Sequence, residues 1–359
     1  MRLTVLIALG ALLALPCAAS AAELRTRFSG SDARVTDAHL APALTSREAA
    51  VEKYLLEAYL EDGRAVYWSA RLSNLGMGDG KVQAKSRISG KGMKKLQAKR
   101  DAKKGGYTAK GTPLDLTVGD HSLTGTPEKL RIQAEGDGYS FDLTFEAELK
   151  AWHPGAGRNQ WSDGTYYDMT VLMPRAKVTG TVTIGGETAT VSGYGYGIHT
   201  HGDVAPHEQA KRWVQLRKID GSNVIYFYQF QPTDGSKPVS WLYFAHNGKV
   251  VITSTDVTVN FADMQPDTKS DKGYQVPGAM VIEAKSGSTK AVLAVKGKGK
   301  FRRTDELAKL SAVERALASK FASPVRYEQT AKYKAVVTGG KSLTTSGGGA
   351  RFEVTQLNP

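Results

Sequence analysis

The sequence predicts an all-β protein whose body forms two consecutive antiparallel barrels, with one amphipathic helix before the last strands. Three observations predict it. Apolar and polar residues alternate with period two in segment after segment, glycine-containing turns separate those segments at short intervals, and helical spacing of apolar residues stands out once, near the C-terminus.

The chain opens on Met1-Arg2, an apolar run from Leu3 to Leu15, then Pro16 and the small residues Ala19-Ser20-Ala21-Ala22. A basic start, a short apolar middle and an A-x-A-like exit are the parts of a secretory signal. The run falls short of the ~20 apolar residues of a permanent membrane span. Residues 1–22 are therefore expected to be cleaved, leaving a periplasmic or secreted protein. Cys17, the sole cysteine, lies inside this segment, and Pro16 before it disfavours lipidation. The mature chain then has no disulfide, and its stability rests on core burial.

The hairpins follow in order. Asp62-Gly63 separates Tyr54–Leu60 from Ala65–Leu72; Leu, Glu and Ala in the first segment also suit a helix, but the turn and the partner Ala65-Val66-Tyr67-Trp68 favour a strand. Glu135-Gly136-Asp137-Gly138 separates Leu130–Ala134 from Ser140–Leu149, where Phe141, Leu143, Phe145, Ala147 and Leu149 alternate with polar residues. Gly185-Gly186 lies between Lys177–Ile184 and Glu187–Tyr194, and Asn247-Gly248 between Trp241–Ala245 and Lys249–Val259. The helix is read from Thr304 as N-cap through Leu310, Val313, Leu317 and Phe321 on one face to Pro324, followed by a strand over Tyr327–Val337. Because the hairpin pattern restarts at Lys177, the expected domains are 23–176 and 177–359.

The net charge is +13. Much of it is concentrated at Lys91, Lys94, Lys95, Lys99, Arg100, Lys103, Lys104 and Lys110, opposed by Asp101. No aromatic residue alternates with these before Tyr107, so nucleic acid is not expected as a partner. A solvated loop face, or contact with an anionic membrane surface, is.

Particular residues carry a family resemblance. They are Tyr67-Trp68-Ser69-Ala70-Arg71-Leu72-Ser73-Asn74, Met173-Pro174-Arg175 before Val178-Thr179-Gly180-Thr181-Val182, and Gly193-x-Gly195 with His199, Pro206-His207, Ala210 and Arg212-Trp213. In these and in Pro324-Val325-Arg326-Tyr327 the chain resembles the fungal survival-factor family of tandem lipocalin-like (calycin) proteins. That resemblance implies two lipocalin-like barrels and a role in lipid handling and oxidative-stress survival. The chain is more distantly similar to the carotenoid hydratase and AttH-type group. Two departures stand out: the export signal, and His201, which the fungal pattern lacks.

His199 and His201 share one strand face. They could ligate a metal with His207 or Asp203, serve with Asp203 as acid and base on a polyene, or hydrogen-bond at the junction of the barrels; the last is the reading adopted, and no metal or cofactor is expected. Glycines 193, 195 and 197 share that face and point to close packing. The aromatic residues, including Trp161, Tyr166 and Tyr226, are numerous enough to line an apolar cavity. Candidate ligand-binding residues are Trp68, Asn74, Trp152, Tyr167, His199, His201, His207, Trp213, Tyr228 and Trp241. Nucleophile-elbow, phosphate-loop, dinucleotide and zincin motifs are all missing from the sequence. The expectation is an exported carrier of a lipid or isoprenoid, with a hydratase or cyclase and a structural envelope protein as the alternatives.

Overall fold

A computed structural model describes residues 24–26, 35–74, 79–111, 113–155, 158–309, 311–320, 322–340 and 342–358. The expected signal segment lies outside them. The first half of the chain supplies β1 (Leu24–Thr26), β2 (Val51–Leu60), β3 (Arg64–Ser73), β4 (Lys81–Gly90), β5 (Leu96–Ala102), β6 (Thr108–Lys110), β7 (Leu114–Val118), β8 (His121–Thr126), β9 (Lys129–Gly136), β10 (Tyr139–Ala147), β11 (Arg158–Trp161), β12 (Tyr166–Ile184) and β13 (Glu187–Gly202). After a short helical turn, α1 (Pro206–Gln209), come β14 (Ala210–Lys218), β15 (Asn223–Pro232), β16 (Val239–His246), β17 (Lys249–Ser254), β18 (Asp256–Pro266), β19 (Gln275–Ser286), β20 (Thr289–Asp305), α2 (Ala312–Ala318), β21 (Val325–Thr338) and β22 (Leu343–Gln356).

These strands form two antiparallel sheets. The 13-stranded first sheet runs β5-β4-β3-β2-β13-β12-β10-β9-β8-β7-β6, with β11 linking β12 to β1; the 9-stranded second runs β17-β16-β15-β14-β22-β21-β20-β19-β18. Each curls into a half-barrel around its own core. In the first, Trp68, Ala84 and Ile88 meet Leu116, Leu123 and Ile132 from the far side of the sheet; in the second, Leu216 and Phe227 meet Ile282, Leu293 and Phe352. The four turns read from the sequence all close hairpins: β2–β3, β9–β10, β12–β13 and β16–β17.

The half-barrels pack back to back, outer face against outer face. Between them lies a third, aromatic core that includes Trp152, Tyr196, Tyr226, Tyr228, Trp241 and Tyr243. Strands β15 and β16 accordingly have apolar residues on both faces, because one face fills the second half-barrel and the other fills the seam. Polar clamps cross the same seam. Glu57 of β2 meets Arg217 of β14 at 3.3 Å, the Tyr226 hydroxyl donates to the Pro174 carbonyl at 2.7 Å, and Arg175 donates to the carbonyls of Ile219 and Gly221. Pro174 sits where β12 bulges against β13, where its missing N–H costs no ladder bond.

Four expectations need correcting. The hairpin of Lys177–Ile184 and Glu187–Tyr194 belongs to the first sheet, so the sheets divide after Gly202 rather than at 176/177; a hairpin restart marks a strand pair, not its sheet. The helix is shorter, since backbone pairing carries β20 through Asp305 and α2 begins at Ala312; Leu310 and Phe321 lie outside the described residues. The span Lys249–Val259 is two strands, β17 and β18, which do not pair with each other. The basic segment is not all loop: Leu96–Ala102 is an edge strand of the first sheet, paired with β4, and Gln97, Lys99 and Asp101 occupy its exposed alternate positions.

Gly193 and Gly195 of β13 mark close approach, as expected, whereas a Cβ on Gly197 would meet only ordinary contacts, the nearest at 3.5 Å. A Cβ on Gly195 would stand 2.5 Å from the Phe145 ring and 2.6 Å from the Glu57 carbonyl oxygen. Gly195→Val should therefore destabilise the protein by about 1–3 kcal/mol through overpacking, read as a lower denaturant midpoint at unchanged m-value.

Candidate functional site

A cavity of about 610 Å³ opens between the two half-barrels. Its floor is the outer face of β2, β3, β4 and β13, and its far wall is β14 and β15. Strand alternation decides which side chains reach it: in β2–β4 the even positions fill the first core, so the odd ones, Lys53, Leu55, Ser69, Arg71 and Lys85, face the cavity. Leu55, Tyr167, Met169, Ile198, Trp213 and Tyr228 give the cavity an apolar wall. Burial pushes the Tyr167 and Tyr228 phenols well above their ordinary values.

The charged part of the lining is predominantly cationic. Arg217 is held by Glu57 and lies over the Tyr196 ring, and Arg326 meets Glu306 at 3.2 Å. Lys53 and Arg71 stand directly opposite each other on β2 and β3. Among the described residues, two buried donors of residues at the cavity wall, the Gln209 side-chain amide and the Trp213 indole N–H, have no hydrogen-bond partner. Buried donors without partners are uncommon in native proteins.

The histidines lie elsewhere. His199 and His201 face the interior of the first half-barrel at one end, where the segment around His39 and Leu40 closes it. The His199 Nδ1–H donates to the His39 carbonyl at 2.7 Å, while its Nε2 meets Glu52 Oε1 at 2.8 Å. A carbonyl only accepts, so the bond to His39 places a proton on Nδ1, while Nε2 holds the Glu52 carboxyl group. Burial opposes the Glu52 charge, but the bonds from His199 and the Ala43 N–H hold its pKa below the ordinary value. The Tyr54 ring stacks on His199 at 4.1 Å. Beside them, burial and then the His199 charge push His201 down to about 4, and its Nδ1 shares a hydrogen bond with the Tyr166 hydroxyl at 3.2 Å. Asp168 joins His153 at 2.8 Å.

The candidates named from the sequence therefore scatter. Tyr167, Trp213 and Tyr228 line the cavity. Trp68 is in the core of the first half-barrel, and Trp152 and Trp241 pack edge to face at 4.7 Å in the seam. Asn74 anchors loops, donating to the Thr45 carbonyl and accepting from Gly80 N–H. Asp203 accepts from the Tyr166 N–H and pairs with Arg47, and the His207 carbonyl accepts from Asn358. His199 bonds within the first half-barrel and not across the junction, because its face of β13 is the inner one. Among the described residues no three metal-ligating side chains converge. Lys53, Arg71, Met169, Ile198 and Gln209 were missed; for Lys53 and Arg71 the reason is that alternation alone assigns the polar face of β2–β4 to solvent, and the both-faces-apolar runs at 224–230 and 239–245 were the signal that another layer covers that side.

His199→Ala should cost about 3–5 kcal/mol, because it leaves the Glu52 carboxylate buried and unpaired. The depressed Glu52 pKa makes the pair's contribution present above the ordinary value of 4.5 and lost as pH falls through the folded-state value. Urea titrations across that acid range should show a smaller acid loss for Glu52→Gln than for the parent.

Solved structures share this fold. An AttH candidate from Nitrosomonas europaea superposes with a TM-score of 0.53 at 14% identity, covering 85% of this chain and 92% of that one. Kievitone hydratase from Nectria haematococca gives 0.52 at 15%, covering 93% and 98%, and CghA with Sch210972 gives 0.58 at 12%, covering 94% and 97%. No curated protein matches the sequence significantly. The model of the Svf1 family matches residues 137–350, more than half of the chain and spanning the last strands of the first half-barrel and nearly all of the second, so the chain belongs to the Svf1 family.

Proposed function

We propose that this protein is an exported carrier that holds a lipid or isoprenoid-type hydrophobic molecule between its two half-barrels. The observation that carries the reading is the cavity itself: its volume lies within the ~300–1,000 Å³ of small-molecule sites, and it combines an apolar wall with a few polar anchors. The interiors of the half-barrels are filled by their own cores, which favours the seam as the binding place. The signal-like residues 1–22 support export, and the exposed basic edge around Lys91–Lys110 suits contact with an anionic membrane during loading or release.

Two of the similar structures bear on an enzymatic alternative: one is a hydratase of kievitone, and CghA is seen with a small molecule, Sch210972. Against hydratase or cyclase chemistry here, His199 and Asp203 are not part of the cavity lining, and the carboxylate that does line it, Glu306, is engaged by Arg326.

Protein purified from its native compartment should arrive loaded, so native mass spectrometry with solvent extraction should find a hydrophobic molecule bound in the parent. Thr200→Trp, which fills the cavity, should lose it while retaining the parent's circular dichroism. Turnover of a polyene without retained cargo would favour the enzyme, and neither result would favour an envelope role. N-terminal sequencing of the same material should begin at or near Ala22 or Glu23; a chain starting at Met1 would overturn export.

A further inference from the structure

The cations of the cavity floor include like charges set against each other across strands. Towards the far edge of the first sheet cross-strand charges are opposite in sign, Lys129 facing Glu146 and Arg131 reaching Asp142 on the diagonal. Lys53 and Arg71 are like charges in direct cross-strand register, an arrangement that destabilises a sheet; the other such pair, Lys85 and Lys99, has Asp101 beside it. The acids nearby are committed elsewhere. Glu57 serves Arg217 and Arg351, Glu306 serves Arg326, and Asp101 takes Lys99 and lies near Lys85. Among the described residues neither Lys53 nor Arg71 has an ion-pair partner. Arg71 lines the cavity while remaining exposed to solvent, so it is open to a ligand arriving from outside. A site that keeps two uncompensated cations together beside an apolar wall is built for something that supplies the missing charge.

Resting on the carrier reading, we infer that the ligand is an amphiphile whose anionic oxyacid head, a carboxylate or a phosphate, sits between Lys53 and Arg71. Its apolar body then lies along Leu55, Ile198, Met169 and Tyr228, which continue the cavity from those two residues. Charge-assisted hydrogen bonds from a planar guanidinium and an ammonium suit both oxyacids. The head group also offsets the Lys53–Arg71 repulsion, so binding and local stability are coupled.

The test uses three probes with one tail, oleate, oleyl phosphate and oleyl alcohol, titrated below their micelle concentrations into the full-length mature protein by calorimetry. At least one anionic probe should bind about tenfold or more tightly than the alcohol, and the tighter of the two identifies carboxylate or phosphate as the natural head. In the double variant Lys53→Gln/Arg71→Gln that preference should vanish, the anions binding no more tightly than the alcohol, and the variant should melt no lower than the parent because repulsion is removed. Arg71→Lys, which keeps the charge, should retain most of the preference. Equal binding of alcohol and both anions by the parent, or full preference surviving in the double variant, would overturn the inference and leave the carrier reading standing. Failure of all three probes to bind the parent would instead remove the carrier reading for such tails, and this inference with it.

Discussion

The architecture depends on the back-to-back seam, and at its centre on the buried pair of Glu57 and Arg217. Glu57 stands on the first half-barrel and Arg217 on the second. The carboxylate also accepts from the Tyr59 and Tyr196 hydroxyls, at 2.9 and 2.7 Å, and the guanidinium rests on the Tyr196 ring. A buried pair stabilises only when its remaining hydrogen-bonding capacity is filled, and here those contacts fill it. Burial alone would raise the Glu57 pKa; Arg217, Tyr196, Arg351 and Tyr59 reverse that and hold it lower. The pair fixes how one half-barrel is seated on the other, and the aromatic core packs in the same seam.

The cavity follows from that seating. Two convex sheets packed outer face to outer face touch along a line and diverge on either side of it. Trp152, Tyr226, Trp241 and Tyr243 fill the line of contact, while β2–β4 curve away from β14 and leave the space that Tyr167, Trp213 and Tyr228 border. The ligand site is therefore an inter-sheet feature. Its lining comes from residues that would be plain surface on either half-barrel alone, which explains why it carries lysines and arginines beside aromatic rings.

The end of the first half-barrel is closed by different chemistry. The His199–Glu52 pair, the stacked Tyr54 ring and the Tyr54 hydroxyl bonded to the Leu40 carbonyl tie the segment 35–50 over the opening. These groups are conspicuous in the sequence as a His-x-His strand, yet their hydrogen bonds are spent on one another and on backbone. Their arrangement is that of a polar plug, with the ion pair taking the place that apolar side chains occupy deeper in the core.

Much of the fold was legible in the sequence. Period-two alternation with Asp62-Gly63, Gly136 to Gly138, Gly185-Gly186 and Asn247-Gly248 determined the hairpins, because turn backbone and strand pleat are local properties of the chain. The glycine run of β13 announced close packing for the same reason. Sheet membership was decided only by tertiary structure: nothing local places Lys177–Tyr194 in the first sheet, since that depends on β13 pairing with β2, more than a hundred residues earlier in the chain. The site was decided there too. Alternation says that Lys53 and Arg71 share a face with Leu55, but whether that face meets water or a second sheet depends on the packing of distant strands, so the same residues read as solvated surface in the sequence and as the floor of a cavity in the folded protein.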